Sequence, residues 1–212
     1  MSTRSETVDT PAGQARITWH TGRAARAVLA LGHGAGGGIE ARDLQALAAD
    51  LPARGYTVAL VEQPWRVAGK KVAAAPKVLD EGWRGLWPAL EEPGLPVVAG
   101  GRSAGARVAC RTAAELGAAG VLALAFPLHP PGRPEKSRAD ELLGTGRPAL
   151  VLQGGRDPFG RPEEFPEGAY ELVGVDGGDH GFAVPRKAAP TQEEALAVIT
   201  GAVAPWLARL LG

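Results

Sequence analysis

Residues 97–105 read VVAGGRSAG, and this stretch decides the fold of the 212-residue chain. The apolar run Val97–Gly100 predicts a buried strand, and the small apolar segment Ala104–Leu116 predicts a helix directly after it. Ser103 stands between them in a Gly-x-Ser-x-Gly pattern, which places a serine on a sharp turn at the carboxyl end of a strand. Amides at the start of the helix can stabilise a developing negative charge there. Ser103 is therefore a candidate nucleophile; the alternative is a purely structural tight turn.

Other short apolar runs repeat this arrangement. They are rich in Val, Leu and Ala and lie at Ala27–Leu31, Thr57–Val61, Val121–Phe126 and Ala149–Leu152, with an alternating run at Tyr170–Val175. Continuous apolar runs are typical of strands covered on both faces, and therefore of a parallel sheet. Helical spacing appears between or after these runs at Arg42–Arg54, Gly82–Glu92 and Thr191–Leu210. Alternating strands and helices predict an α/β fold with a mostly parallel sheet and helices on both faces.

The remaining segments predict one domain, 1–212, without a cap. The first thirty residues read as a hairpin with Ala15–His20 as one strand, and Val67–Val78 reads as a long surface loop. Between the runs Val121–Phe126 and Ala149–Leu152 there is room for only one short helix, around Glu135–Leu143. Pro205 is expected to kink or split the last helix.

Composition excludes several classes of protein. The 23 basic and 23 acidic side chains cancel, so nothing favours binding to nucleic acid or to an anionic membrane. A single cysteine, Cys110, excludes an internal disulfide, and the polar N-terminus does not resemble a signal peptide. No run approaches the roughly 18 apolar residues of a membrane span. We therefore expect a cytoplasmic globular protein, either monomer or homodimer.

A serine nucleophile needs a base and a group that orients the base. His180 lies in a glycine-rich loop after the last predicted strand, and Asp157 follows the strand before it, which gives the chain order Ser, Asp, His. Asp179 and Asp176 compete for the acid role, although neighbours on a tight loop seldom reach each other. We predict Ser103, His180 and Asp157 as a catalytic triad.

The glycine-rich loop Gly32–Gly38 follows the first of the apolar runs. Its backbone can aim amides at a negative charge, so the N–H of Ala35, or of Gly36 beside it, is expected to pair with that of Ala104 as an oxyanion hole. His33 is interpreted as a residue that braces the loop. The rival interpretation is a nucleotide-binding loop, although no Gly-Lys-Ser/Thr follows it.

Further candidates for substrate contact lie at the carboxyl ends of strands. They are Gly36, Trp65 with Arg66, Arg102 and His129. Trp65 could flank an acyl group or pack on the surface, Arg102 could bind an anion or make structural contacts, and His129 could touch substrate or belong to a rigid rim. No metal-binding pattern occurs, so no metal is predicted.

With these residues in view, the chain resembles the α/β-hydrolase superfamily over nearly its whole length, and most of all its compact, dienelactone-hydrolase-like bacterial members of unknown substrate. The loops that carry the resemblance are His33–Gly34, Gly101–Gly105, Gly155–Pro158 and Gly178–Phe182. The resemblance implies the triad and oxyanion hole given above, and no cofactor. Dienelactone hydrolases have a cysteine where this chain has Ser103, so lactone specificity does not carry over.

Two functions follow as expectations. The first is a serine hydrolase of the carboxylic-ester type that acts on a small-molecule acyl substrate such as an ester, thioester or lactone. The second is a catalytically silent scaffold that binds a protein partner, because the compact group is also similar to a subunit of a eukaryotic histone-acetyltransferase complex.

Overall fold

A mostly parallel sheet of eight strands organises the molecule, described here by a computed structural model over residues 2–186 and 189–212. The strands are β1 (Ser2–Thr10), β2 (Gly13–Thr21), β3 (Val28–Gly32), β4 (Thr57–Glu62), β5 (Val97–Arg102), β6 (Val121–Leu124), β7 (Ala149–Gly154) and β8 (Tyr170–Val175). Their order in the sheet is β1-β2-β4-β3-β5-β6-β7-β8. β1 and β2 form the predicted hairpin and join the sheet antiparallel, while the other six strands are parallel.

Helices cover both faces of this sheet, as predicted. They are α1 (Arg42–Asp50), α2 (Pro64–Val67), α3 (Pro76–Glu91), α4 (Ala104–Thr112), α5 (Ala139–Leu143) and α6 (Gln192–Leu211). One hydrophobic core joins the sheet to α3 and α4, and a second joins its other face to α1 and α6. Strand β3 shows why its sequence is continuously apolar: Val28 and Ala30 lie in the first core, whereas Leu29 and Leu31 lie in the second.

The long loop predicted at Val67–Val78 is shorter than expected. Helix α3 begins at Pro76, six residues before its predicted start, with Ala75 as its N-cap. Proline suits the first turn of a helix because its fixed φ is helical and its missing N–H has no partner there. The sequence interpretation treated Pro76 as a loop residue, and that was wrong.

Two other predicted helices are shorter than their apolar patterns. Helix α1 ends at Asp50 and continues as a 3₁₀ turn over Leu51–Arg54, where Pro52 lies near the start of the turn. Helix α4 ends at Thr112, and hydrogen-bonded turns follow it up to Gly117. Apolar periodicity marks the buried side of a segment, and that burial extends beyond the last regular turn of a helix.

Helix α6 begins with the predicted capping box, in which Thr191 and Glu194 bond each other's backbone N–H. It runs unbroken through Pro205, so the predicted split does not occur. α6 is long and apolar enough to cross a membrane by length and composition alone, so our expectation that no segment has that character was wrong. Its buried side chains, among them Ile199, Val203 and Leu207, pack into the second core.

The carboxyl edge of the parallel strands carries no cap domain between β6 and β7. The connection contains a 3₁₀ turn at Pro134–Lys136 and the five-residue α5, where we predicted one short helix over Glu135–Leu143. Loops after β3, β5, β7 and β8 meet at this edge. This is where an open α/β sheet places its ligands.

Candidate active site

Ser103 occupies a strained turn between β5 and α4. Its φ is 52° and its ψ is −112°, in a region that L-residues rarely adopt. The two flanking glycines are sterically required, since a Cβ atom on Gly101 or on Gly105 would lie 2.4 Å from the carbonyl oxygen of Gly32. The end of β3 therefore presses directly on the turn that presents the hydroxyl.

A continuous row of hydrogen bonds joins the three residues predicted as a triad. His180 Nε2 lies 2.9 Å from Ser103 Oγ, and His180 Nδ1 lies 2.8 Å from Asp157 Oδ2. The Asp157 side chain is fully buried, whereas 22% of the His180 side chain is exposed. The imidazole thus bridges a buried carboxylate and a partly accessible hydroxyl, which is the geometry of a nucleophile, a base and an orienting acid.

The Asp157 carboxylate is held from two further directions. Oδ1 accepts the backbone N–H of Phe159 at 2.8 Å, and Oδ2 also accepts the Nε2 of buried Gln153 at 2.9 Å. All of these groups donate, so the carboxylate acts as an acceptor and the Nδ1 of His180 carries a proton. The Nε2 of His180 is then free to accept the proton of Ser103. Sequence reasoning missed Gln153, which lies one residue beyond the predicted strand Ala149–Leu152 and is typical of a polar loop residue.

The two competing aspartates do not contact the imidazole. Asp179 Oδ1 accepts the backbone N–H groups of Gly181 and Ala183, at 2.8 and 2.9 Å, and so shapes the loop that carries His180. Asp176 is exposed to solvent. A carboxylate within the tight loop braces the loop itself, as expected for near neighbours in sequence.

Phe159 is a second residue that sequence reasoning missed. Its ring stacks on the His180 imidazole, with centroids 4.2 Å apart and an angle of 29° between the planes. The stack covers one face of the ring and restricts its rotation. The only signal in the sequence was the position of Phe159 two residues after Asp157.

The loop after β3 is braced by His33, as predicted. His33 Nε2 accepts the backbone N–H of Gln63 at 3.2 Å, and Nδ1 lies 2.9 Å from the carbonyl oxygen of Gly34. Burial lowers the pKa of His33, so the neutral ring with its proton on Nδ1 fits both contacts. In a trans peptide the C=O and N–H point in opposite directions, so the bond to Gly34 turns the N–H of Ala35 away from His33.

A cavity of about 420 Å³ opens over Ser103 and His180. Ala35, Gly36 and Ala104 line it, which are the residues expected to form the oxyanion hole and its border. Within residues 2–186 and 189–212, the backbone N–H groups of Ala35 and Ala104 donate to no protein acceptor. Two unused amides beside a serine hydroxyl are what a developing oxyanion requires.

Arg102 contacts the protein rather than leaving its charge free for substrate. Its Nε lies 3.2 Å from Oδ2 of the fully buried Asp43, and its Nη2 donates to the main-chain carbonyl of His180. Arg102 also lines the cavity, while its Nε and Nη2 donate to acceptors of the protein. Of the two alternatives, the structural contact is present: Arg102 ties the position before Ser103 to the loop that carries His180. A contact between Arg102 and an anionic substrate stays a prediction.

Trp65 is buried, with 6% of its surface exposed, so the alternative of surface packing was wrong. It packs edge-on against His33, with centroids 5.4 Å apart, and lines a recess of about 10 Å³ together with Ala35 and Ala104. Its neighbour Arg66 instead bonds Glu40 at 3.3 Å on the surface. Trp65 therefore lies beside the residues whose two amides donate to no protein acceptor.

His129 does not line the cavity over Ser103, so of the two interpretations left open the rigid rim fits the structure and contact with substrate does not. Its two ring nitrogens contact the carbonyl of Pro130 and the carboxylate of Glu164, each at 3.0 Å. The bond to Pro130, together with the carboxylate of Glu164, raises the pKa of His129 against the opposing effect of burial. The residue holds the rim, because its side chain is turned toward the segment after β7.

Neither a metal cluster nor a reactive thiol is present in the part of the chain that the structure describes. Those residues contain no group of three His, Cys, Asp or Glu side chains that could hold a metal ion. Cys110 is buried in α4, and burial raises the pKa of its thiol to about 12, so it carries no reactive thiolate.

Comparison with known proteins agrees with this geometry. A family model described as alpha/beta hydrolase domain matches residues 25–208. A comparison with curated protein sequences finds no significant match. Among solved structures, a serine hydrolase without a lid from Xanthomonas campestris, XC6422, shares 20% identity over 97% of this chain and 95% of its own, with a TM-score of 0.71.

Two further solved structures have the same fold. Dienelactone hydrolase from Anabaena variabilis is 18% identical over 98% of this chain and 97% of its own, with a TM-score of 0.74. Est1E from Butyrivibrio proteoclasticus is 13% identical over 98% of each chain, with a TM-score of 0.72. The family model covers most of the sequence, and the chain belongs to the α/β-hydrolase domain family.

Proposed function

We propose that this protein is a serine hydrolase that cleaves a small ester, thioester or lactone through an acyl-enzyme on Ser103. The observation that carries the proposal is the unbroken row from the Ser103 hydroxyl through His180 to buried Asp157. Membership of the α/β-hydrolase domain family supports it.

In the first half of the proposed reaction, Ser103 Oγ adds to the carbonyl carbon of the substrate while His180 Nε2 accepts its proton. Asp157 stabilises the imidazolium that forms. The leaving group then departs with the proton held by His180, and the acyl group stays on Ser103. In the second half, water adds to the acyl carbon, His180 accepts its proton and returns it to Ser103, and the acid is released.

The oxyanion of each tetrahedral intermediate is assigned to the N–H groups of Ala35 and Ala104. Both are unused in the described structure, and Ala104 begins helix α4, whose N-terminus favours negative charge. The His33 contact fixes the peptide plane that carries the first of these amides. Donors fixed in advance need not reorganise as charge develops, and this is what makes them effective.

The recess beside the two amides limits the acyl group. It offers about 10 Å³ between Trp65 and Leu79, which is room for roughly one water molecule or one methyl group. A long acyl chain would have to displace buried side chains of the first core. We therefore assign short acyl groups, of the acetyl class, to this site.

Fluorophosphonate labelling tests the nucleophile directly. We expect one adduct, located on Ser103 by mass spectrometry, and none in Ser103→Ala. Ser103→Ala should also lower kcat on p-nitrophenyl acetate by about 10⁴- to 10⁶-fold if the triad acts as a unit. Equal turnover in Ser103→Ala and wild type would end the proposal. The absence of any adduct in wild type would favour the silent scaffold instead.

A series of p-nitrophenyl esters tests the size of the acyl group. Wild type is expected to prefer acetate over butyrate and octanoate in kcat/KM. Trp65→Ala should shift the preference toward longer chains, because it widens the recess. Val67→Ala is the matched control, since Val67 lies on the same helix and does not line the recess. A preference for octanoate in wild type would contradict the assignment.

A further inference from the structure

All charged side chains of the described residues that line the cavity over Ser103, apart from the imidazole of His180, are arginines. Arg102, Arg107 and Arg138 line it, and no acidic side chain of the described residues does. The cavity of about 420 Å³ therefore has three guanidinium groups and no carboxylate on its wall. Its potential depends on how many of these charges have a carboxylate partner behind the wall.

Two of the three arginines already have carboxylate partners. Arg102 pairs with buried Asp43, and Arg107 forms a two-pronged contact with Glu141 at 2.8 and 2.5 Å. Glu141 also bonds Arg111, whose remaining charge is met by Asp80 at 2.6 Å. Arg102, Arg107 and the neighbouring Arg111 thus face as many carboxylates as there are guanidinium groups. Neither Arg102 nor Arg107 needs an external anion to neutralise its charge.

Arg138 has no such partner. Its Nη1 donates to the carbonyl of Pro127 at 3.0 Å, and no carboxylate of the described chain lies within 4.0 Å of the guanidinium. Burial, and then the neighbouring guanidinium of Arg107, lower the pKa of Arg138, although Glu141 partly opposes this. Arg138 therefore carries a partly buried positive charge that a bound anion would stabilise.

The sheet order places this charge on one side of the nucleophile. Ala35 and Trp65 follow β3 and β4 and lie to one side of β5, with the narrow recess. Pro127, Arg138 and His180 follow β6 and β8, on the other side of β5. His180 protonates the leaving group in the proposed reaction, so the leaving group occupies the side that carries Arg138.

We propose that Arg138 is a specificity-determining residue that binds a carboxylate on the leaving group, and that the substrates are esters of a short acyl acid with a carboxylate-bearing alcohol or phenol. The inference rests on the proposed hydrolase function. Guanidinium and carboxylate match in geometry and charge, and a partly buried pair in a cavity is stronger than one in open solvent.

A matched pair of substrates tests this preference. 4-Acetoxybenzoate and its methyl ester share the acetyl group and ring but differ in charge, and each kcat/KM is divided by its own hydroxide-catalysed rate. Wild type should prefer the carboxylate by about ten- to hundredfold. The preference should collapse in Arg138→Met and Arg138→Gln, and partly persist in Arg138→Lys. Arg133→Met is the control, because Arg133 is exposed on the same segment and lies outside the cavity lining.

The outcomes separate the two proposals. If wild type cleaves neither ester, the hydrolase function fails. If it cleaves both with a ratio that does not change in the Arg138 variants, the carboxylate inference alone is overturned. Phenyl hemisuccinate carries its carboxylate on the acyl side. Its kcat/KM should therefore be the same in wild type and in Arg138→Met, and a marked loss in Arg138→Met would overturn the assignment to the leaving-group side.

A binding measurement gives a readout that needs no turnover. By calorimetry, Ser103→Ala should bind the product 4-hydroxybenzoate, and the added change Arg138→Met should weaken that binding about tenfold or more. Methyl 4-hydroxybenzoate should show no comparable difference between the two proteins. Equal affinity of both proteins for 4-hydroxybenzoate would refute the role of Arg138.

Discussion

The guanidinium of Arg102 donates to the main-chain carbonyl of His180, so the residue before Ser103 holds the loop that carries His180. The same side chain meets Asp43, which is fully buried at the start of α1. Three segments far apart in sequence are therefore joined by one side chain. The relative position of Ser103 and His180 depends on this contact as well as on their own hydrogen bond.

Replacing Arg102 should lower the free energy of unfolding by an amount that depends on pH. Burial raises the pKa of Asp43, and Arg102 opposes that rise, so Arg102→Met should raise the pKa further. A raised folded-state pKa gives stability that is present below the unfolded pKa and lost as pH rises through the folded pKa. We expect Arg102→Met to be destabilised by about 3–5 kcal/mol near pH 8 and by less near pH 5. Urea unfolding at both pH values measures this.

The matched control is the double variant Arg102→Met with Asp43→Asn. It removes the buried charge together with its partner, so its loss of stability should no longer grow with pH. Its kcat should stay low, because the His180 carbonyl still lacks its donor. If Arg102→Met is equally destabilised at both pH values, the buried carboxylate is not the cause.

Asp157→Asn should lower kcat by about 10³- to 10⁴-fold, less than Ser103→Ala does. An amide has only one oxygen, so it cannot accept hydrogen bonds from all three donors around the carboxylate. In one orientation its NH₂ group faces the N–H of Phe159, and in the other it faces the donors of Gln153 and His180. The imidazole then loses its preferred tautomer. Kinetics on p-nitrophenyl acetate measure the loss; a change below tenfold would show that Asp157 does not orient the base.

His33 should make stability fall in mild acid. Burial lowers its pKa, so the unfolded chain binds a proton below about pH 6.5 while the folded chain resists it. Stability is then lost as pH falls, by up to about 1.4 kcal/mol per pH unit from this group. His33→Gln removes that contribution. Urea unfolding from pH 7.5 to 5.5 should give a flatter profile for the variant, and parallel profiles would contradict the buried neutral imidazole.

Two glycine-to-alanine changes should act in opposite directions. Gly105→Ala places a Cβ atom 2.4 Å from the Gly32 carbonyl oxygen, so we expect a loss of about 1–3 kcal/mol and displacement of the elbow. Gly201 lies exposed within α6, with nothing within 4 Å of an added Cβ, so Gly201→Ala should stabilise by about 0.5–1 kcal/mol. Thermal unfolding of both variants tests the contrast, and a stable, active Gly105→Ala would contradict the tight contact.

His129→Gln should leave kcat/KM within about twofold of wild type, because His129 holds the rim and does not line the cavity. Its pKa is raised, so its contribution to stability is present in mild acid and is lost as pH rises above its folded pKa. The variant should therefore lose more stability near pH 5.5 than near pH 8. A large loss of activity would restore His129 as a substrate contact.

By itself, the sequence determined the fold class and the places where chemistry could occur. Apolar runs such as Val97–Gly100 report burial on both faces of a sheet, and that signal is local. The positions of Ser103, Asp157 and His180 after three such runs follow from the same local signal, because parallel strands bring their carboxyl ends to one edge. The sequence did not predict boundaries such as the early start of α3 at Pro76, because proline suits a loop and a first helical turn equally well.

Only the tertiary structure decided which side chains meet and which charges stay free. His180 contacts a serine 77 positions away and an aspartate 23 positions away, and no pattern in the chain measures such distances. The sequence did not predict Gln153 and Phe159 as site residues for the same reason, because their contacts with Asp157 and His180 form only in the folded chain. Arg102 and Arg138 have the same side chain and differ only in whether a carboxylate lies within reach, which depends on three-dimensional packing. Spacing along the chain records local conformation, whereas charge balance is set between distant segments.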